Sequence, residues 1–380
     1  MTFDFINLLT EALDPRTPHP EDAIFDGSAA AAKAVKGLTS AIAGAGNITI
    51  KWDGSPALIF GRIEGGALAV MDKYMWDAKF FATSPEDWVK YDQQKASGRL
   101  REDLYPKLQA IWAGLDAAVT GSAFYWGDLL YVGKPPMEAN KYIFKQVTVT
   151  YKVPAISDLG KLITQSVGGI VVHQQFSGPD AKPQKWDGNG LQNVNGGVAI
   201  IKPDMGVKFR LKEPVPEHRA AEAAIAKYGS IVDQTFATIP KSVRDSLKTY
   251  FNKRITGQPA GQVSAADWIK AETNPKQYKS LVINMDIDPP APGLFYTYEY
   301  DNNKEIQLQE TPALFGLREI WNSIYQYKLN LYVQLEQQVP KDLEQYTNGK
   351  PGGEGFVFPT PEGLVKIVNR GQFGAAHFNK

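Results

Sequence analysis

The 380-residue chain has no cysteine. That excludes disulfides, thiol nucleophiles and cysteine-ligated zinc or iron–sulfur sites, and it fits a reducing compartment. An excess of one charge is also missing: 41 Lys+Arg stand against 41 Asp+Glu. A strongly basic chain would advertise a nucleic-acid partner, so any basic groove here has to be local. No apolar run approaches the length of about 20 residues that a membrane span needs. The first residues, Met1-Thr2-Phe3-Asp4-Phe5, include an acid and lack the basic, apolar and cleavage regions of a signal peptide. These absences predict a soluble, intracellular, cytoplasmic protein without a membrane partner. Internal repeats and low-complexity tracts are missing too. What is present is a globular balance of 43% hydrophobic and 22% charged residues, enough for a sizeable core in one large domain or two ordinary ones.

Hydrophobic periodicity organises the chain. Residues 1–45 read as helical, with Ile6, Leu8 and Leu9 on an amphipathic turn and the Ala-rich Ala29–Ile42 favouring helix. The Pro-rich Asp14–Asp22 interrupts them, and Gly44-Ala45-Gly46 ends the second helix. Ile48–Ile50, Ala57–Phe60 and Ala67–Met71 read as strands between Gly-containing turns. Leu104, Leu108, Ile111, Trp112 and Leu115 mark one helix face, and Leu317, Ile320, Ile324, Tyr327 and Leu331 mark another. Ala123–Val132, Gly169–His173 and Leu294–Tyr300 read as further strands. Ser177–Asn195 reads as a loop, and Val198–Ile201 with Val207–Leu211 as a hairpin. Residues 213–289 change character and read as an inserted helical subdomain between core segments 46–212 and 290–380.

One short motif carries chemistry. Lys51-Trp52-Asp53-Gly54 follows a strand. A lysine there can attack an activated phosphate, the acid can hold a sugar or position the amine, and the glycine lets the backbone turn tightly beside a nucleotide. Alone, K-x-D-G is common by chance. Three companions follow in order: Tyr125-Trp126-Gly127-Asp128, Gly353-Glu354-Gly355-Phe356-Val357 and Leu364-Val365-Lys366-Ile367-Val368. Together they resemble the covalent nucleotidyltransferase superfamily of DNA ligases, RNA ligases and mRNA-capping enzymes. K-x-D-G-S, with Pro56 where many DNA ligases carry arginine, is closest to the RNA-ligase branch, or to a divergent phage-type member.

The resemblance implies an α+β fold: a ligase-type, ATP-grasp-like core of antiparallel sheets with flanking helices and a helical insertion. Few residues follow Lys366, so no C-terminal OB-fold is expected. It also implies a lysyl–AMP intermediate on Lys51, formed from ATP (GTP less so) with Mg²⁺ or Mn²⁺, and transfer to an RNA or DNA end. Lys366 becomes a second catalytic lysine. The free lysine side chain holds its proton to about pH 10.4, and a nearby cation favours the neutral, attacking form. Asp53, Gly54, Lys73, Asp128, His173, Lys366 and Arg370 are the implied nucleotide contacts, and Glu354 and Asp128 the metal ligands. The sequence departs from the family at Asp128, one methylene shorter than the usual Glu, and at Val368, in place of a second lysine. Strand alternation offers Arg370 as the substitute. Alternatives stay open: a protein or small-molecule acceptor, a non-catalytic binding module on the same fold, or an interaction protein with coincidental motifs. His173 as a structural histidine, His19-Pro20-Glu21-Asp22 as a helix start, and Lys208, Arg210 and Lys212 as one solvated strand face are the plainer readings of those residues.

Overall fold

The computed structural model describes residues 19–95, 100–146, 148–178, 181, 184–239, 244, 247–248, 251, 296–300, 306–360 and 363–371. The expected helix around Ile6–Leu9, residues 252–289 of the expected insertion and the start of the expected strand Leu294–Tyr300 lie outside them. The chain forms two compact units, each built from separated stretches. One holds Thr49–Lys208 and Gln338–Gly355; the other holds residues 19–48, Phe209–Gln337 and residues 356–371. The class is α+β, with mostly antiparallel sheets and several helices.

The first unit begins with β1 (Thr49–Lys51) and is built on two sheets. The larger contains β2 (Ala57–Arg62), β3 (Leu68–Met71), β4 (Phe124–Val132), β8 (Gly168–Phe176), β9 (Gln184–Lys185) and β10 (Val198–Ile201). Its order is β10-β8-β4-β2-β3, with β9 on β8. All pairs are antiparallel except β10 with β8, which is parallel. β3 and β10 are buried at every position, the pattern of strands covered on both faces. The helix Tyr105–Ala118 supplies cover through Leu108, Ile111 and Leu115, all at 0% exposure; each such burial contributes about 1.5–3 kcal/mol. Trp88 joins this core, and its buried indole N–H donates to the Val70 carbonyl at 2.9 Å.

The smaller sheet runs β14-β13-β7-β6-β5, where β5 is Met137–Glu138, β6 Lys141–Gln146, β7 Val149–Pro154, β13 Glu344–Thr347 and β14 Lys350–Pro351. Val149, Tyr151 and Val153 face inward, while Thr150, Lys152 and Pro154 alternate outward, the period-two signature of a half-buried strand. The register sets Tyr151 between Phe144 of β6 and Gln345 of β13.

The second unit packs the helices Ser28–Ala43, Val215–Ala237 and Pro312–Glu336 with the 3-10 helix Pro20–Asp26 and the hairpin of β15 (Gly355–Thr360) and β16 (Gly363–Ile367). A second hairpin joins β11 (Tyr296–Tyr300) to β12 (Ile306–Glu310). The Leu317, Ile320, Ile324, Tyr327 and Leu331 stripe is fully buried, as its spacing predicts. Beneath it lies a buried ion cluster. Lys328 Nζ donates to Glu21 at 2.5 Å, Arg370 donates to Glu21 at 3.2 Å and Asp22 at 2.8 Å, and the Trp321 indole donates to Asp22 at 3.2 Å. His19-Pro20-Glu21-Asp22 is indeed a helix start, with His19 at the N-cap. Both acids are thus paired with cationic side chains.

Several expectations need correction. Val207–Leu211 is no strand, so it forms no hairpin with β10; β10 instead lies parallel to β8, reached by the loop after β8. Lys208, Arg210 and Lys212 therefore share no strand face. Lys73 does not end a strand but opens the helix Lys73–Asp77, because the Asp72 carboxylate caps it by accepting from Met75 N. β8 runs past His173 to Phe176. β16 ends at Ile367, so strand alternation does not carry through to Arg370, which enters the ion cluster.

Candidate active site

The Lys51–Gly54 loop is held from three sides within the first unit. Ile50 N and the Trp52 indole both donate to the Pro203 carbonyl, at 3.0 and 3.3 Å. Asp53 is gripped by the smaller sheet. Its Oδ2 accepts from the Thr148 N–H at 2.9 Å and the Thr148 hydroxyl at 3.0 Å. Its backbone N–H donates to the Tyr151 hydroxyl at 2.7 Å, and that hydroxyl donates to the Asp53 carbonyl at 3.2 Å. Gly54 lies against β4. A Cβ there would sit 2.6 Å from Asp128 Cβ and 3.2 Å from the Leu129 carbonyl, so only glycine fits. Ser55 N then donates to the Leu129 carbonyl at 3.0 Å.

So held, the loop leaves Lys51 in ion-pair contact with Glu354, their side chains 26% and 10% exposed. The two lie 303 positions apart in sequence. Glu354 stands immediately before β15 rather than on it. A lysine and an acid quoted from two separate motifs thus meet.

Asp128 occupies the middle of β4, opposite Ala57 of β2 and Val171 of β8. Its Oδ2 lies 3.1 Å from His173 Nε2. A bulge makes that contact. Trp126 pairs with Gln174 while the next residue, Gly127, pairs with Val172, so His173 is the extra residue and is re-aimed. Gly127 permits the close strand approach, since a Cβ would fall 2.4 Å from the Val171 carbonyl. Lys73 is exposed on the helix that follows β3, and β2 separates β3 from the strand that carries Asp128.

Tyr151 is the hub of this arrangement. It is fully buried, and burial lifts its hydroxyl well above the ordinary tyrosine range. The backbone hydrogen bond from Asp53 opposes that rise, and the carboxylates of Asp53, Glu354 and Asp128 add to it. Three acids from three chain segments therefore lie within electrostatic reach of one hydroxyl. Trp52 stacks on Tyr151 at 5.1 Å, and Tyr151 on Phe144 at 5.2 Å.

The remaining expected residues lie in the second unit. Lys366 is half-buried on β16, opposite Val357. Val368 is 3% exposed, a core side chain. Arg370 is committed to Glu21 and Asp22. Thr148 and Tyr151 were missed by the motif reading; the alternating run Lys141–Pro154 was the signal for their sheet.

A cavity of about 710 Å³ lies elsewhere in the first unit, lined by Arg62, Thr83, Ser84, Gln109, Trp112 and Asp116 among others. Its arginine is occupied. Arg62 donates to the Asp116 carboxylate and to the carbonyls of Gly66, Asp116 and Val119, stapling the end of the helix Tyr105–Ala118.

Residues 17–380 match the family of unknown function DUF6267. The chain belongs to that family. No curated protein and no solved structure matches the chain. Among the described residues no cluster of three or more His, Asp or Glu side chains is arranged to hold a metal, and no helix is long and apolar enough to cross a membrane. The two acids expected to hold a metal each have a side-chain partner here: Glu354 contacts Lys51, and Asp128 Oδ2 lies 3.1 Å from His173 Nε2.

Proposed function

We propose that this family member is a covalent nucleotidyltransferase of the ligase type, with Lys51 as its nucleophile. The observation that supports it most is the Lys51–Glu354 contact within a loop immobilised by Tyr151, Thr148 and β4. In the first step the Lys51 amine attacks the α-phosphorus of ATP. A P–N bond forms, the P–O bond to the β-phosphate breaks, and pyrophosphate leaves. The ammonium must first give up a proton, and Glu354 is the carboxylate in contact with it. A divalent cation held by Glu354 or Asp128 would neutralise phosphate charge when bound. Immobility of the loop contributes by lowering the entropy of the attack.

In the second step an oxygen of a 5′-phosphorylated RNA or DNA end attacks the phosphorus of lysyl–AMP, the P–N bond breaks, and the Lys51 amine leaves and regains a proton. A 3′-hydroxyl then attacks the 5′-phosphorus, AMP leaves with the bridging oxygen, and the hydroxyl proton is released. The motif order carries this step. A second reading, nucleotide binding without transfer, draws on the buried Val368, which supplies no cation where the family places one.

Intact-protein mass after incubation with Mg²⁺ and ATP or GTP tests both, alongside Lys51→Ala. A gain of one nucleoside monophosphate on the wild type alone is the expected result and names the nucleotide. No adduct with either nucleotide, after pyrophosphate removal and a trial with Mn²⁺, favours the binding module.

A further inference from the structure

We infer that Tyr151 is a positioning residue that sets the reach of Lys51 by clamping the backbone of Asp53 with one hydroxyl. The inference rests on the proposed nucleophilic role of Lys51 for its consequence, but the clamp itself stands on geometry alone. One oxygen accepts from the Asp53 N–H at 2.7 Å and donates to the Asp53 carbonyl at 3.2 Å. Both polar groups of a single residue are thus tied to one atom, which fixes the rotations on either side of the Asp53 Cα. The tyrosine ring is itself fixed, stacked between Trp52 and Phe144 on a fully buried strand position.

Thr148 completes the device. It sits at the turn between β6 and β7 and donates twice to Asp53 Oδ2. Side chain and backbone of Asp53 are therefore both held by the smaller sheet. The motif acid is spent on this latch through Oδ2, in place of the sugar contact that the motif alone implies. Lys51, two residues before it, is the one motif side chain left to project from the loop toward Glu354. A loop pinned at Trp52, Asp53 and Gly54 presents that lysine from a fixed base.

Tyr151→Phe removes the hydroxyl and keeps the stack with Trp52. Hydrogen exchange reads the latch without reference to activity. The amides of Lys51–Ser55 are expected to exchange at least about tenfold faster in the variant, the order expected for two lost hydrogen bonds, while β4 and β8 keep their protection. Equal exchange of that segment in both proteins overturns the clamp. Thr148→Val, which removes one donor to Oδ2, serves as the second variant if Tyr151→Phe does not fold; it should raise exchange of the same segment, and an unchanged rate counts against the latch. The activity arm then separates the two ideas. Tyr151→Phe should slow lysyl–AMP formation about tenfold with the KM for ATP within twofold, because the nucleotide contacts are untouched. A wild type that forms no adduct while the exchange difference persists overturns the proposed function and leaves the clamp standing. Normal adduct kinetics in Tyr151→Phe overturn its positioning role.

Discussion

At the scale of single residues, the contact between Lys51 and Glu354 decides most. Glu354 is buried, so its charge is costly unless matched, and Lys51 matches it. If Glu354 also takes the proton from the attacking amine, Glu354→Gln should slow adduct formation by about 10²–10⁴, the usual weight of a positioned acid–base group. The amide keeps shape and hydrogen-bonding capacity, so the melting temperature should change little. Adduct formation at the wild-type rate would remove Glu354 from the chemistry. Lys51 and Glu354 stand out in the sequence, Lys51 at the end of an apolar strand three residues before Gly54 and Glu354 between Gly353 and Gly355. Tyr151 and Thr148 were not readable. Their value lies in contacts to Asp53 across 98 and 95 positions, and no local pattern encodes such a contact. Arg370 was misread for a related reason: the acids that claim it, Glu21 and Asp22, lie near the other end of the chain.

At the scale of elements, periodicity was the reliable guide. The stripes Leu108–Leu115 and Leu317–Leu331 are buried as their spacing requires, save Trp112, which is half-buried. Strand limits shifted where a cap or a bulge intervened, at Asp72 and at His173. The smaller sheet escaped notice because β6 and β7 interleave lysines with aromatics, which lowers mean hydropathy although the alternation is regular. Gly127 tests how tightly β4 and β8 are bound together. A Cβ would meet the Val171 carbonyl at 2.4 Å and the Ile170 side chain at 2.7 Å. The carbonyl belongs to a paired strand and cannot swing aside. Gly127→Ala should therefore cost about 1–3 kcal/mol in urea unfolding, the range for overpacking. Gly178→Ala, where nothing lies within 4 Å, should stay within about 0.5 kcal/mol. Equal stability of the two variants would show that the strands relax freely.

At the scale of the whole molecule, the buried ion cluster shapes stability against pH. Burial pulls Lys328 down to about 8 against an ordinary value of 10.5; Glu21 resists this, and Arg370 reinforces it. Burial also works against the ionisation of Glu21, yet Lys328 and Arg370 outweigh it and hold Glu21 below its usual range. Arg370 keeps its charge throughout, so the proton that leaves first on raising the pH is that of Lys328. Between about pH 8 and 10.5 the unfolded chain keeps this lysine proton while the folded chain has released it. The unfolded state binds more protons there, and stability must rise with pH, by at most about 1.4 kcal/mol per unit for one group. Above about pH 10 the sign reverses. Tyr131, Tyr151, Tyr325 and Tyr332 are all raised, chiefly by burial, so unfolding releases phenolic protons that the folded state retains. The melting temperature should accordingly climb from pH 8, peak near pH 9–10 and then fall. Lys328→Met should lose the climb. It should also be less stable by about 3–5 kcal/mol at neutral pH, because Glu21 is left buried with half its compensation. A wild-type profile that stays flat or declines from pH 8 would mean that Lys328 keeps its proton in the folded protein and that the cluster is a fully charged one.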